Sequence, residues 1–153
     1  MMTPEEKLSQ MGIKLPPPAA AVANYVPFKV AGDLILVSGQ VPFKDAKLPF
    51  KGVVGADVSM EDARECARLC AINILSAVKA AAGELSRVEA LRVEGFVASA
   101  EGFTDQAGVV NGASDFLVEV MGEAGRHTRF AVGAAALPLG APVEISAIFR
   151  VSS

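Results

Sequence analysis

Arg129 and Glu144 are the two residues whose types and spacing best suit chemistry on a small anion. Arg129 lies where the apolar run FAVGAA begins, and Glu144 lies early in the run VEISAIFRV. The turn LPLGAP between these runs predicts an antiparallel hairpin over residues 126–151, which would put the two side chains on nearby strands. Such a pair is either a structural ion pair or an anion-binding site with a carboxylate that orders water. The residues alone leave both interpretations open.

The spacing of the other side chains that could do chemistry does not point to a particular site. His127 is the only histidine and is expected at a helix-to-strand turn, where packing or capping is its more common role. Cys66 and Cys70 share one helical face, but no further cysteine or paired histidine completes a metal-ligand set, so we expect buried thiols and no metal. Tyr25 is the only tyrosine and is expected in the first strand, either at the surface or lining a ligand.

Capping residues and helical periodicity predict three helices. A threonine cap followed by proline and two glutamates begins the first, a serine cap begins the second, and a glycine is expected to end each of the three. The predicted helices span about residues 4–11, from 60 to about 82, and from 105 or 106 to 121.

Alternating apolar residues predict the strands between these helices. The segment NYVPFKV, an Ala-Gly-Asp turn and LILVSG predict a hairpin, and LRVEGFVAS predicts a further strand. Residues 40–57 are predicted to be a long loop with at most a small ribbon. The order β-β-loop-α-β-α-β-β indicates an α+β domain, in which two helices pack on one face of an antiparallel or mixed sheet. We expect the other face to be covered by packing the sheets into a trimer with a barrel-like core.

Length and composition limit the class of protein. The 153 residues suit one domain over 1–153, with a helix and a proline-rich connector in 1–20. Hydrophobic residues make up 52% and mean hydropathy is +0.41, so we expect buried surface between identical subunits. No apolar run is long enough to span a membrane, and no signal peptide or disulfide framework is visible, which favours the cytoplasm. A net charge of −3 argues against a nucleic-acid partner.

Several segments together resemble one family. These are NYVPFKVAGDLILVSGQVP, a strand ending FVAS, a helix containing VVNGASDFLVEV, and TRFAVGAAALPLGAPVEISAI. Over about residues 22–151 the chain resembles the RidA/YjgF family, also called endoribonuclease L-PSP, in a longer-chain subgroup. The resemblance implies a chorismate-mutase-like fold and a homotrimer with ligand clefts between subunits. It also implies hydrolysis of reactive enamines and imines, such as 2-aminoacrylate, to 2-keto acids and ammonia without a cofactor.

The resemblance also implies roles for particular residues. Arg129 matches the carboxylate-binding arginine and Glu144 the water-positioning glutamate. Tyr25 matches a cleft tyrosine, Gly39 a glycine whose backbone lines the pocket, and Asn111 a helix asparagine near the cleft.

The chain departs from the family at one position that bears on function. Ala131 stands where a small thiol is often found two residues after the arginine. We therefore keep three functions in order: the deaminase, a non-catalytic trimer that binds small carboxylates, and the ribonuclease of the older family name. The third would need a basic surface and acid/base groups that an acidic chain with one histidine does not show.

Overall fold

The computed structural model describes residues 1–19 and 23–152. Three α-helices and five β-strands follow one another along the chain. They are α1 (Pro4–Gln10), β1 (Phe28–Ala31), β2 (Leu34–Gln40), α2 (Met60–Ala82), β3 (Val88–Ala98), α3 (Gln106–Met121), β4 (Thr128–Ala134) and β5 (Val143–Val151).

Local capping sets the helix boundaries, and all three predicted helices are confirmed. Thr3 and Glu6 form a reciprocal capping box at the start of α1. The Ser59 side chain accepts a hydrogen bond from the backbone of α2, and the Asp105 side chain does the same for α3. Gly83 follows α2 with φ +87°, a conformation that a side chain would strain.

The five strands form one mixed sheet in the order β1-β2-β5-β3-β4. The predicted hairpin of β1 and β2 is confirmed, but Tyr25 lies three residues before β1 rather than in it. The predicted hairpin of the last two strands is wrong, because β3 lies between β4 and β5. β4 pairs with β3 in parallel, and β5 pairs with β2 and β3 in antiparallel orientation. The connection over residues 135–142 is therefore a crossing past the end of β3 and not a tight turn.

The helices α2 and α3 pack on one face of this sheet, as predicted for an α+β fold. Ile35, Val93, Ile145 and Phe149 are fully buried between the sheet and the helices. The two helices approach closely at Gly112, where a side chain would meet the backbone of α2. This contact sets how closely α3 approaches α2.

The opposite face of the sheet is apolar but only partly buried. Leu36 is 40% exposed and Val132 is 42% exposed. Phe96 and Phe130 meet edge to face across β3 and β4, with ring centroids 5.4 Å apart. We call this surface the open face. The sheet-to-sheet packing expected for a trimer would cover it, and that packing stays a prediction.

The long loop over residues 40–57 is tied down at both ends. Asn73 of α2 donates hydrogen bonds to the carbonyl oxygens of Val41 and Phe43, both at 3.1 Å. Val54 is fully buried, and its backbone bonds to that of Ala98. An isolated β-bridge joins Lys44 and Lys47, and these residues form no longer ribbon. Among the described residues, no helix is both long and apolar enough to cross a bilayer.

Candidate functional site

Arg129 lies on the edge strand β4 with its side chain on the helix-covered side of the sheet. Its Nη1 donates to Ser114 Oγ at 3.0 Å, and its Nη2 donates to the carbonyl oxygen of Ala107 at 3.3 Å. Both partners belong to α3. No carboxylate in residues 1–19 or 23–152 forms an ion pair with this guanidinium. The interpretation of Arg129 as half of a structural ion pair is therefore not supported.

Asn111 shares a face of α3 with both of these partners. Ala107, Asn111 and Ser114 are spaced by four and three residues, which places them one above the other along the helix. Asn111 is exposed, and it lies between the two groups that hold Arg129. Helical spacing therefore places Asn111 on the part of α3 that holds Arg129, and we call these residues and Ser114 the arginine cluster.

His127 also joins the arginine cluster, through Ser114. Its Nε2 lies 2.9 Å from Ser114 Oγ, and its Nδ1 lies 2.6 Å from the carbonyl oxygen of Gly125. Sequence reasoning missed Ser114 altogether. Its spacing of three residues after Asn111 on one helical face was the signal that could have found it.

Glu144 and Gly39 form a second group on the open face. A methyl group at Gly39 would lie 2.7 Å from Glu144 Oε2, so the carboxylate lies directly against the backbone of β2. Burial raises the pKa of the Glu144 carboxyl above its ordinary value. Tyr25 is 55% exposed in the segment that approaches this part of β2, where Ser38 Oγ donates to the carbonyl oxygen of Val26 at 2.6 Å. We call Glu144, Gly39 and Tyr25 the glutamate cluster.

The two clusters lie on opposite faces of the sheet in one chain. Arg129 pairs in register with Val93, on the side that faces α3, whereas Glu144 pairs with Phe96 on the open face. Two strand spacings across the sheet and three residues along it separate their Cα atoms by roughly 14 Å. The two residues do lie on nearby strands, but the antiparallel pairing expected between those strands is wrong, because β3 separates them.

The cysteines have the surroundings of structural thiols. Both are fully buried in α2, and burial raises the pKa of the Cys66 thiol to about 12. Burial also raises the pKa of Cys70. Within the described parts of the chain, no group of three or more His, Cys, Asp or Glu side chains is arranged to hold a metal ion.

A family model described as YjgF/chorismate mutase-like, with endoribonuclease as its conjectured activity, matches residues 5–149. The chain belongs to the YjgF/RidA family. Protein TCP17 of Trypanosoma cruzi is 42% identical over 95% of this chain and 92% of its own length. The similarity of this chain to the family model and to TCP17 therefore covers nearly the whole chain and is not limited to short motifs.

Solved structures of family members match the fold. Atu1372 of Agrobacterium tumefaciens superimposes with a TM-score of 0.91 at 46% identity, over 97% of this chain and 92% of that one. TdcF of Escherichia coli, solved with bound serine, gives a TM-score of 0.65 at 26% identity, over 90% and 94% of the two chains. The chorismate-mutase-like fold expected from the sequence is confirmed.

Proposed function

We propose that this protein hydrolyses small reactive enamines and imines that carry a carboxylate, of the 2-aminoacrylate type, to 2-keto acids and ammonia. The proposed site is a cleft between two copies of the chain, where the arginine cluster of one copy faces the glutamate cluster of the other. The observation that carries the proposal is Arg129, tethered to α3 with no carboxylate partner among the described residues.

Arg129 is suited to bind the substrate carboxylate. A guanidinium has five N–H donors, and α3 accepts from two of them, one on each terminal nitrogen. Three N–H donors are left for a ligand, and a guanidinium binds a carboxylate most strongly where two parallel N–H groups meet its two oxygens. Because two bonds already fix the plane of the group, little side-chain entropy is lost when the ligand binds. Serine bound to TdcF is a small carboxylate of the same size class.

Glu144 is suited to move the protons of the reaction. Water adds to the carbon of the protonated imine and transfers a proton to Glu144 as the C–O bond forms, which gives a neutral carbinolamine. The protonated carboxyl then gives this proton to the nitrogen, and ammonia leaves as the C–N bond breaks. The hydroxyl proton passes back to the Glu144 carboxylate as the carbonyl forms. A carboxyl whose pKa is raised by burial is a stronger base than an ordinary one and is better matched to this transfer near neutral pH.

The placement of the two clusters supports a cleft between copies. One chain holds Arg129 and Glu144 on opposite faces of its sheet, so a single copy cannot present both to one small ligand. The partly exposed apolar residues of the open face favour packing against further copies. A homotrimer satisfies both requirements if each open face contacts its neighbour and each β4 edge meets the glutamate cluster of the next subunit.

The first test measures release of ammonia and pyruvate from 2-aminoacrylate that another enzyme generates in the assay. We expect Arg129→Ala and Glu144→Gln each to lower the rate at least about a hundredfold. Arg126→Ala and Glu94→Gln are the matched controls, because they remove an exposed arginine three residues away and a second carboxylate of the open face. Wild-type protein that does not exceed the uncatalysed rate would reject the deaminase.

A mixing experiment tests the shared cleft directly. Each inactive variant keeps the residue that the other lacks, so a trimer containing both variants has one intact site of three. Random exchange of equal amounts should restore about a quarter of the wild-type activity. A mixture that stays as inactive as its components would show that both residues act from the same chain.

A non-catalytic trimer that binds small carboxylates is the second candidate. Ala131 favours it, because this half-buried residue stands two positions after Arg129 where the resemblance leads us to expect a thiol. Under this function Arg129→Ala abolishes binding of pyruvate, whereas Glu144→Gln has no turnover to abolish. The ribonuclease ranks last, since the net charge is −3 and the chain has one histidine.

A further inference from the structure

The only histidine of the chain lies two hydrogen bonds away from the carboxylate-binding group. Ser114 Oγ is 2.9 Å from His127 Nε2 and 3.0 Å from Arg129 Nη1, so the two nitrogens lie within roughly 6 Å of each other. All three side chains are half-buried at the β4 edge. The deamination proposed above uses Ser114 only to hold Arg129, and it does not use His127.

The directions of these hydrogen bonds are fixed by chemistry. The carbonyl oxygen of Gly125 can only accept, so the proton of a neutral imidazole lies on Nδ1, 2.6 Å from that oxygen. The Nε2 atom must then accept the single hydroxyl proton of Ser114. Arg129 can only donate, and it donates to the oxygen of the same hydroxyl. With neutral His127, Ser114 has no proton left for a ligand.

Protonation of His127 reverses one of these bonds. Both ring nitrogens then donate, and the Nδ1 bond to Gly125 is unchanged. Ser114 Oγ receives one bond from Nε2 and one from Arg129, which occupies its two lone pairs. Its own proton is released and can point toward whatever Arg129 binds.

We propose that His127 is a positioning residue that sets the affinity of the arginine cluster for carboxylates through the hydroxyl of Ser114. Protonated His127 adds a positive charge near Arg129 and turns Ser114 into a donor to the bound carboxylate, so the ligand binds more tightly. The inference rests on the proposed binding of a carboxylate by Arg129. It names a regulator of that site, which acts through the charge of the imidazole.

The charged groups around His127 are few. Arg129 follows on β4, Asp115 is the neighbour of Ser114 on α3, and Arg126 pairs with Glu123 at 4.0 Å in the turn before β4. From β3, Arg92 lies opposite Thr128 and stacks over the Phe130 ring on the open face. In the described part of the chain, none of the carboxylates pairs with the imidazole. Ser114 is therefore its link to a charged side chain.

The test is the dissociation constant of pyruvate measured by calorimetry from pH 5 to pH 8. All proteins carry Glu144→Gln, so that titration of that carboxylate does not contribute to the pH profile. We expect affinity to rise about five- to tenfold as pH falls in the parent protein and to change less than about twofold in His127→Gln. The glutamine oxygen can still accept from Ser114 but cannot become charged. His127→Asn is the second variant, because its amide can keep the bond to Gly125.

NMR gives an independent readout, because a single histidine gives one ring signal to titrate. Coupling is reciprocal, so saturating pyruvate should move the titration midpoint of His127 upward by about 0.7 to 1 pH unit. Ser114→Ala should reduce this movement, since the released hydroxyl donor is gone. A histidine with only a structural role would titrate identically with and without pyruvate.

The outcomes separate the two proposals. Binding that depends on Arg129 but keeps its pH profile in His127→Gln would overturn the role of His127 and leave the proposed function standing. A His127 midpoint that pyruvate does not move would do the same. A parent protein that binds no pyruvate at any pH would overturn both.

Discussion

Gly112→Ala is the substitution that most directly tests how the fold positions the arginine cluster. An alanine methyl carbon at this position would lie 2.1 Å from the carbonyl oxygen of Arg64 and 2.9 Å from its carbonyl carbon. A comfortable carbon-to-oxygen contact is about 3.3 Å, so the backbones of α2 and α3 must separate by about 1 Å. The obstacle is backbone, and no side-chain rotation can relieve it.

The expected cost follows from two opposing terms. Alanine is favoured over glycine inside a helix by about 1 kcal/mol. Overpacking a well-packed contact costs about 1–3 kcal/mol and more when two backbones collide, so we expect a net loss of about 2 kcal/mol. If the free energy of unfolding falls by about 2 kcal/mol per molar urea, the urea concentration at the unfolding midpoint should fall by about 1 M.

Gly108→Ala is the matched control on the same helix. Its methyl carbon would meet the terminal methyl of Met60 at 2.5 Å and the Asp105 carboxylate at 2.6 Å. The methionine can move aside, whereas displacing the carboxylate that caps α3 costs about 1 kcal/mol, which the helix preference of alanine over glycine offsets. We expect its unfolding midpoint to change by less than about 0.5 M. A Gly112→Ala protein as stable as wild type, or as Gly108→Ala, would refute the view that close backbone contact sets the position of α3. If the position does shift, Gly112→Ala should also weaken pyruvate binding, because α3 carries both tethers of Arg129.

Three further outcomes follow from the site. Gly39→Ala places a methyl group 2.7 Å from Glu144 Oε2 and should lower kcat about a hundredfold with little change in Tm. Gly133→Ala is the control, because Gly133 is another strand glycine that faces side chains, and this substitution should leave kcat intact. Burial raises the pKa of Glu144, so the folded wild type holds a proton that the unfolded chain has lost and is destabilised as pH rises through the raised value. Glu144→Gln should therefore raise Tm by roughly 1–3 °C at pH 8 and not at pH 4. An equal difference in Tm at both pH values would show that burial of the Glu144 charge is not the cause. Because the pKa of Cys66 is about 12 and that of Cys70 is also raised, thiol reagents at pH 8 should react no faster than the protein unfolds.

The helices could be predicted from the sequence because their ends are determined locally. Thr3, Ser59 and Asp105 each accept a hydrogen bond from the first turn of the helix they precede, within three residues of themselves. A glycine then follows the last turn of α2 and of α3. Because the capping residues lie within four positions of each helix end, the ends can be predicted from the sequence.

The strand order could not be read so easily, because pairing depends on distant segments. The two last runs were expected to pair because they follow one another, yet α3 connects β3 to β4 in a parallel unit and leaves β5 to pair elsewhere. Two features pointed to this arrangement. A helix between two strands is the usual link of a parallel pair. In β5, moreover, every second residue from Val143 to Phe149 is apolar, which predicts a strand with one face in the core along most of its length.

The candidate residues could be named from the sequence, but their division between the two faces of the sheet could not. Glu144 lies between the buried residues Val143 and Ile145, so its side chain had to point away from the core. No such alternation exists in β4, where every residue is at least partly exposed, because it is an edge strand. The hydrogen bonds of Arg129 to α3 determine the face on which its side chain lies, and no local sequence pattern predicts these bonds. If the two clusters act on one ligand, two copies of the chain must meet at this edge of the sheet. A substitution at this edge would then affect both catalysis and assembly.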